Sequence, residues 1–155
     1  MGGIEETRGR LEQALSFYKR QTKLFEELHQ ANPDDVSLKN GLAVSYEKVA
    51  HLAERQEDYA QAWAYWVRAY QLYTELVNAG IQQKSILVQW TFCFYHLGRL
   101  RAMSGEFEEA LELLREGQRL ILELHANEVL NASERDSFGE TVGQLVAQIE
   151  NLRKP

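Results

Sequence analysis

Three stretches decide the reading: Gly9-Arg10-Leu11-Glu12-Gln13-Ala14-Leu15, Glu57-Asp58-Tyr59-Ala60-Gln61-Ala62-Trp63 and Gly105-Glu106-Phe107-Glu108-Glu109-Ala110-Leu111. Each begins 48 residues after the one before it. The register continues without a gap. Ala14, Ala62 and Ala110 coincide, as do Leu24, Leu72 and Leu120, and the pairs Glu27-Leu28, Glu75-Leu76 and Glu123-Leu124. His29 and His125 share a column, with Val77 between them. The other half of the unit repeats by character: Leu42, Trp90 and Phe138 align, then Tyr46, Phe94 and Val142, then Val49, Leu97 and Leu145. A fixed period of this length marks an array of stacked supersecondary units.

Each unit reads as two helices. Leu38, Leu42, Tyr46, Val49 and Ala53 recur at spacings of three and four, one stripe of a 3.6-residue period. Asn32-Pro33-Asp34-Asp35 supplies a cap, a proline for the first turn and acids for the helix dipole. The stripe lasts to Arg55, and Gln56-Glu57-Asp58 makes a turn. A second helix runs over 59–79 and stops at Gly80. The next pair covers 83–103 and 106–126, with Ser104-Gly105 as its turn. A last helix starts at Ser133, with Asp136 completing a weak capping box, and runs to Leu152. Leu11 to Gln30 repeats the second helix of the unit. No segment alternates as a strand does. The spacing thus predicts an all-α chain of about five long antiparallel helices, each of about 20 residues and ~30 Å.

From Asn32 to Ala69 the chain resembles a tetratricopeptide repeat. Leu42, Ala43 and Tyr46 supply that family's bulky, small and aromatic positions in the first helix. Ala62, Trp66 and Ala69 supply its small, aromatic and small positions in the second. Ala110, Leu114 and Gly117 follow in the next unit, and Ala14, Tyr18 and the off-pattern Gln21 in the N-terminal half-unit. The departure is length, since the common unit has 34 residues and this one has 48. It is similar to the long-helix variety found in tandem arrays of larger bacterial signalling proteins. HEAT and armadillo units have a closer length but lack this small-aromatic-small spacing. The resemblance implies an α-α superhelix, a solenoid in one domain over 1–155. Its parts are a half-unit 8–31, units 32–79 and 80–127, and a capping helix 132–152. It also implies a scaffold that binds a protein or peptide in a concave groove, as part of a larger protein or assembly.

Composition narrows the partners. Seventeen Lys+Arg against 23 Asp+Glu give a net charge of −6. That balance speaks against nucleic acid or an anionic membrane as the main partner. No apolar run reaches the ~20 residues of a membrane span. The single cysteine, Cys93, excludes an internal disulfide and a multi-cysteine metal site, and fits a reducing cytoplasm. No phosphate-binding glycine loop, nucleophile elbow or His-Glu-x-x-His is present. Neither an enzyme nor a cofactor is expected. His29, His51, His96 and His125 read as surface or helix-end histidines, and Cys93 as a small buried side chain. Glu106, Glu108, Glu109 and Glu112 read as a solvated helix start. Tyr59, Trp63, Trp66, Tyr70 and Tyr73 form a stripe best explained as repeat core.

Two surfaces remain as candidates. In the resembled family the first helices line the concave side. That face carries Asn40, Val44, Glu47, Lys48 and His51 in one unit and Val88, Phe92, Tyr95, His96 and Arg99 in the next. Lys48, His51, Val88, Phe92, Tyr95, His96 and Arg99 are the partner-binding candidates, an apolar anchor site flanked by cations. A competing reading has Phe92 and Tyr95 pack internally across to Gly143 and Ala147. The carboxylate-clamping lysine and asparagine of one family subtype are replaced by Asn40 and Val44, so that specificity is not expected. The second surface is the N-terminal helix, which lacks its first-helix partner. Leu11, Leu15, Tyr18, Phe25 and Leu28 are expected to form an apolar edge, open to a preceding helix or to another chain. Leu11, Leu15, Tyr18 and Phe25 are the self-association candidates. Phe138, Val142, Leu145, Ile149 and Leu152 form a single stripe amid polar residues, the pattern of an end cap.

Overall fold

The computed structural model describes residues 2–154, which form α-helices and no strand. α1 spans Gly2–Ala31, α2 Val36–Arg55, α3 Tyr59–Asn78, α4 Lys84–Met103, α5 Phe107–Ala126 and α6 Ala132–Arg153. The all-α class is as expected, and the helices number six among the described residues rather than five. Five caps and turns interrupt the sequence, and five breaks separate six helices. α1 also exceeds its expected 11–30. Nothing from Gly2 to Arg10 interrupts the helix, and Arg10 pairs with Glu6 one turn earlier at 2.9 Å.

Four breaks share one geometry. α2, α3, α4 and α5 are each followed, after the cap, by a residue at positive φ: Glu57 (60°), Gly80 (86°), Gly105 (78°) and Glu128 (64°). The next N–H then reaches back five residues, Asp58 to Ala53 (2.9 Å), Ile81 to Leu76 (3.1 Å), Glu106 to Arg101 (3.0 Å) and Val129 to Leu124 (2.9 Å). This is the Schellman ending, which satisfies carbonyls the helix leaves open. Positions 57 and 105 lie 48 residues apart, as do 80 and 128. The period is therefore written in the backbone as well as in the side chains. Glycine takes the left-handed conformation freely, whereas the two glutamates hold it against the crowding of their own β-carbons.

Two helix starts differ from expectation. The α2 cap is Asp35, which accepts the Leu38 N–H at 3.0 Å. Asn32 instead closes α1, its N–H on the Leu28 carbonyl at 3.0 Å, and Pro33 lies in the turn. The α6 cap is Asn131 rather than Ser133. Asn131 accepts from the Glu134 N–H at 2.8 Å, and Glu134 accepts from the Asn131 N–H at 3.0 Å. The reciprocal box satisfies two open donors at once, and glutamate is long enough to reach back.

The chain divides into two compact units, one up to Gln82 and the other from Gln83. In the first, α2 packs against both α1 and α3. Ala62, Trp66, Ala69, Tyr73 and Leu76 of α3 are buried with Leu42, Ala43, Val49, Ala50 and Ala53 of α2. In the second, α5 packs against α4 and α6, and α4 also meets α6. A β-carbon at Gly98 would stand 2.8 Å from Leu114 Cγ, so α4 and α5 cross there without room for a methyl. Ala110, Leu114 and Gly117 fill the columns of Ala62, Trp66 and Ala69, and all six are buried. Small residues bring two helices close while the large one between them fills the remaining space.

Candidate functional site

The repeat columns show which surface is left open. Leu76 and Leu124 are 2% and 7% exposed, but their counterpart Leu28 is 49% exposed. Leu120 is 4% exposed, and its counterpart Leu24 is 60% exposed. α3 and α5 each pack against a helix that precedes them, α2 and α4, and α1 is preceded by no helix among the described residues. Phe17, Leu24 and Leu28 share one face of α1 and form an exposed apolar stripe. This corrects the expected edge. Leu11, Leu15, Tyr18 and Phe25 are only half-exposed. Phe25 presses on Gly41 of α2, where an added β-carbon would stand 2.7 Å from its ring. Tyr18 is covered by Lys48 Nζ, 5.3 Å from its ring centre. The α1 face that meets α2 also carries Thr22, whose hydroxyl joins that of Ser45 at 2.7 Å in the interior. Leu28 of the expected edge is exposed, and Tyr18 and Phe25 are the members that meet α2.

Leu11 and Leu15 instead help to line a cleft of about 1000 Å³ between α1 and the α2–α3 turn. Its lining includes five cations, Arg8, Lys19, Arg20, Lys23 and Arg55, against three carboxylates, Glu12, Glu57 and Asp58. Asp58 is engaged as the α3 cap, accepting from the Gln61 backbone at 3.1 Å and its side chain at 2.9 Å. None of the five cations has an ion-pair partner among the described residues. Many cations elsewhere are paired: Lys39 with Glu75, Lys84 with Glu134, Arg101 with Glu106 and Glu109, Arg115 with Glu150, Arg119 with Glu116 and Glu123, and Arg153 with Glu108, while Lys48 and Arg68 lie over aromatic rings. An acidic chain thus keeps a basic cleft whose charges are unanswered. The sequence showed those cations only as scattered residues, because the α2–α3 turn that completes the cleft lies far from α1 in the chain.

The candidates on the first helices fall in both units. In the first unit Lys48 and His51 are exposed on α2. Lys48 lies over Tyr18, and the His51 ring meets Trp66 edge-on at 4.8 Å. In the second unit Val88, Phe92, Tyr95, His96 and Arg99 are all half-buried on α4. Phe92 meets Tyr95 at 6.2 Å and Tyr95 meets His96 at 5.3 Å. Phe92 also packs edge-on against Phe138 of α6 at 4.9 Å. Part of this anchor group therefore joins α4 to α6 through Phe138.

Titratable groups inside the first unit serve the scaffold. The Glu47 carboxyl is buried on α2, and Tyr73 of α3 donates its hydroxyl hydrogen bond to it. Burial raises its pKa to about 7, and the Tyr73 hydrogen bond opposes the rise. Burial, then the neighbouring Glu26 carboxylate, pushes the Tyr46 hydroxyl up to about 12, and that hydroxyl donates to Glu26 at 3.2 Å. Of the α3 aromatics, Trp66 and Tyr73 are buried and Trp63, Tyr65 and Tyr70 are half-buried, while Tyr59, expected in the core, is exposed at the helix start. Cys93 is buried as well. No group of His, Cys, Asp and Glu able to hold a metal ion occurs among the described residues. No described helix is long and apolar enough to cross a membrane. A scan of family models and searches of curated proteins and of solved structures matched nothing.

Proposed function

We propose that the chain is a protein-interaction module that binds a peptide or protein segment as part of a larger assembly, in a reducing cytoplasm. The observation that carries this reading is the cleft beside α1, where Leu11 and Leu15 offer apolar contact beneath polar walls. Such a combination suits a peptide, whose side chains take the apolar contacts while charged groups set orientation. The tetratricopeptide-like spacing supports the same class. Selection of displayed random peptides on the folded chain tests it. Selected peptides should lose binding to Leu15→Asp and keep it toward Phe92→Ala/Tyr95→Ala/Arg99→Ala. The reverse pattern would move the site to the first-helix face that includes Lys48 and His51.

A second reading, self-association, is favoured by the uncovered stripe of Phe17, Leu24 and Leu28. Sedimentation of the wild-type chain and of Leu24→Asp checks it. A mass above the monomer that falls on substitution supports the reading, and a monomer at all concentrations sinks it.

A further inference from the structure

We propose that the occupant of the α1 cleft is an acidic amphipathic segment of a partner protein, with carboxylates flanking apolar anchors. This rests on the interaction-module reading and names its partner class. The argument starts from charge. A chain of net charge −6 has carboxylates to spare, and a solvent-exposed Lys or Arg on it readily finds one. Eight Lys and Arg side chains outside the cleft do so across helix surfaces and turns. Arg8, Lys19, Arg20, Lys23 and Arg55 do not, although Glu12, Glu57 and Asp58 line the same cleft. Asp58 is committed to the α3 cap. The result is a local excess of positive charge inside an overall acidic surface, which focuses an attractive field on one cleft.

The geometry adds the rest. Arg8, Leu11, Leu15, Lys19 and Lys23 recur along α1 at spacings of three and four and share one side of it, with Glu12 beside Leu11. From Arg8 to Lys23 the rise is about 22 Å at 1.5 Å per residue. An extended segment of about seven residues spans that length. Leu11 and Leu15 lie between the basic positions at either end. A segment with apolar side chains at its centre and carboxylates toward its ends matches this order. The exposed Phe17, Leu24 and Leu28 belong to another face of the helix, so they stay available when the cleft is filled. Nucleic acid also carries negative charge, but the net charge of the whole chain repels an extended polyanion beyond the cleft.

The test uses the intact chain. A random peptide library is selected on it, and synthetic copies of enriched peptides are titrated by fluorescence anisotropy. The proposal expects enriched peptides to carry net negative charge around Leu, Ile or Phe. It expects Lys19→Glu/Lys23→Glu to weaken them by roughly tenfold or more, raised salt to do likewise, and Arg119→Glu on α5 to leave them unchanged. Circular dichroism establishes that each variant is folded. Enriched peptides of neutral or basic charge, lost on Leu15→Asp, would overturn the acidic assignment and keep the broader reading. No enriched peptide at all would overturn both. Tighter binding of a single-stranded oligonucleotide, abolished by the charge reversal, would overturn it in favour of a nucleic acid. A salt-sensitive dimer abolished by the same reversal would make the occupant a second copy.

Discussion

Glu47 offers a quantitative test of the first unit. The residue is 9% exposed, and its carboxyl accepts a hydrogen bond from Tyr73. Burial lifts its pKa from the ordinary 4.5 to about 7. Between these values the folded chain holds a proton that the unfolded chain has released. The unfolded state then binds fewer protons, so stability falls as pH rises. The contribution is fully present below 4.5 and is lost as pH passes through about 7. At about 1.4 kcal/mol for each tenfold change in proton affinity, the loss comes to about 3 kcal/mol. Glu47→Gln removes the titration while its amide oxygen still accepts from Tyr73. Urea denaturation of both chains from pH 4 to pH 8 measures the difference. The wild type should lose about 3 kcal/mol relative to Glu47→Gln across that range, with most of the change between pH 4.5 and 7. Parallel curves would show that Glu47 ionises freely, and the reasoning from burial would be wrong.

Four further outcomes follow from the packing. Gly98→Ala places a methyl 2.8 Å from Leu114 Cγ; overpacking should outweigh the gain in helix propensity and cost about 1–3 kcal/mol in urea denaturation. Ala62, the counterpart of Ala110, is fully buried, and Ala62→Trp should destabilise the chain by a similar free energy, about 1–3 kcal/mol, read as a lower melting temperature. Leu120→Ala should cost about 2–5 kcal/mol and Leu24→Ala within about 0.5 kcal/mol of nothing, since burial separates two residues of one repeat column. Glu128→Gly relieves a left-handed glutamate and should stabilise the chain by about 0.5–1 kcal/mol, with the melting curve as readout.

The sequence revealed what depends on local pattern. Helix limits for α3 and α4 lie within a residue or so of the structure, because Gly80 and Gly105 mark the ends in the one conformation only glycine adopts cheaply. Ala62, Trp66 and Ala69 reappear as Ala110, Leu114 and Gly117, and all six are buried, whereas Ala14, Tyr18 and Gln21 are half-buried. What escaped depends on distant chain. Glu57 and Glu128 end helices as glycines do, and no composition signal announces a glutamate at positive φ. The expected edge of α1 holds at Leu28 but not at Tyr18 and Phe25, because a stripe at spacings of three and four does not say which side α2 covers. Only Gly41, Ser45 and Lys48 of α2 decide that. The basic cleft needed Arg55 and the α2–α3 turn to come against α1, a long-range contact that no window of sequence contains.

Hydrogen exchange of the chain, alone and with a selected acidic peptide, tests the central claim most directly. The account predicts added protection in residues 8–23 and 55–58, the segments that line the cleft. Protection confined to residues 88–99 of α4, with 8–23 unchanged, would contradict it.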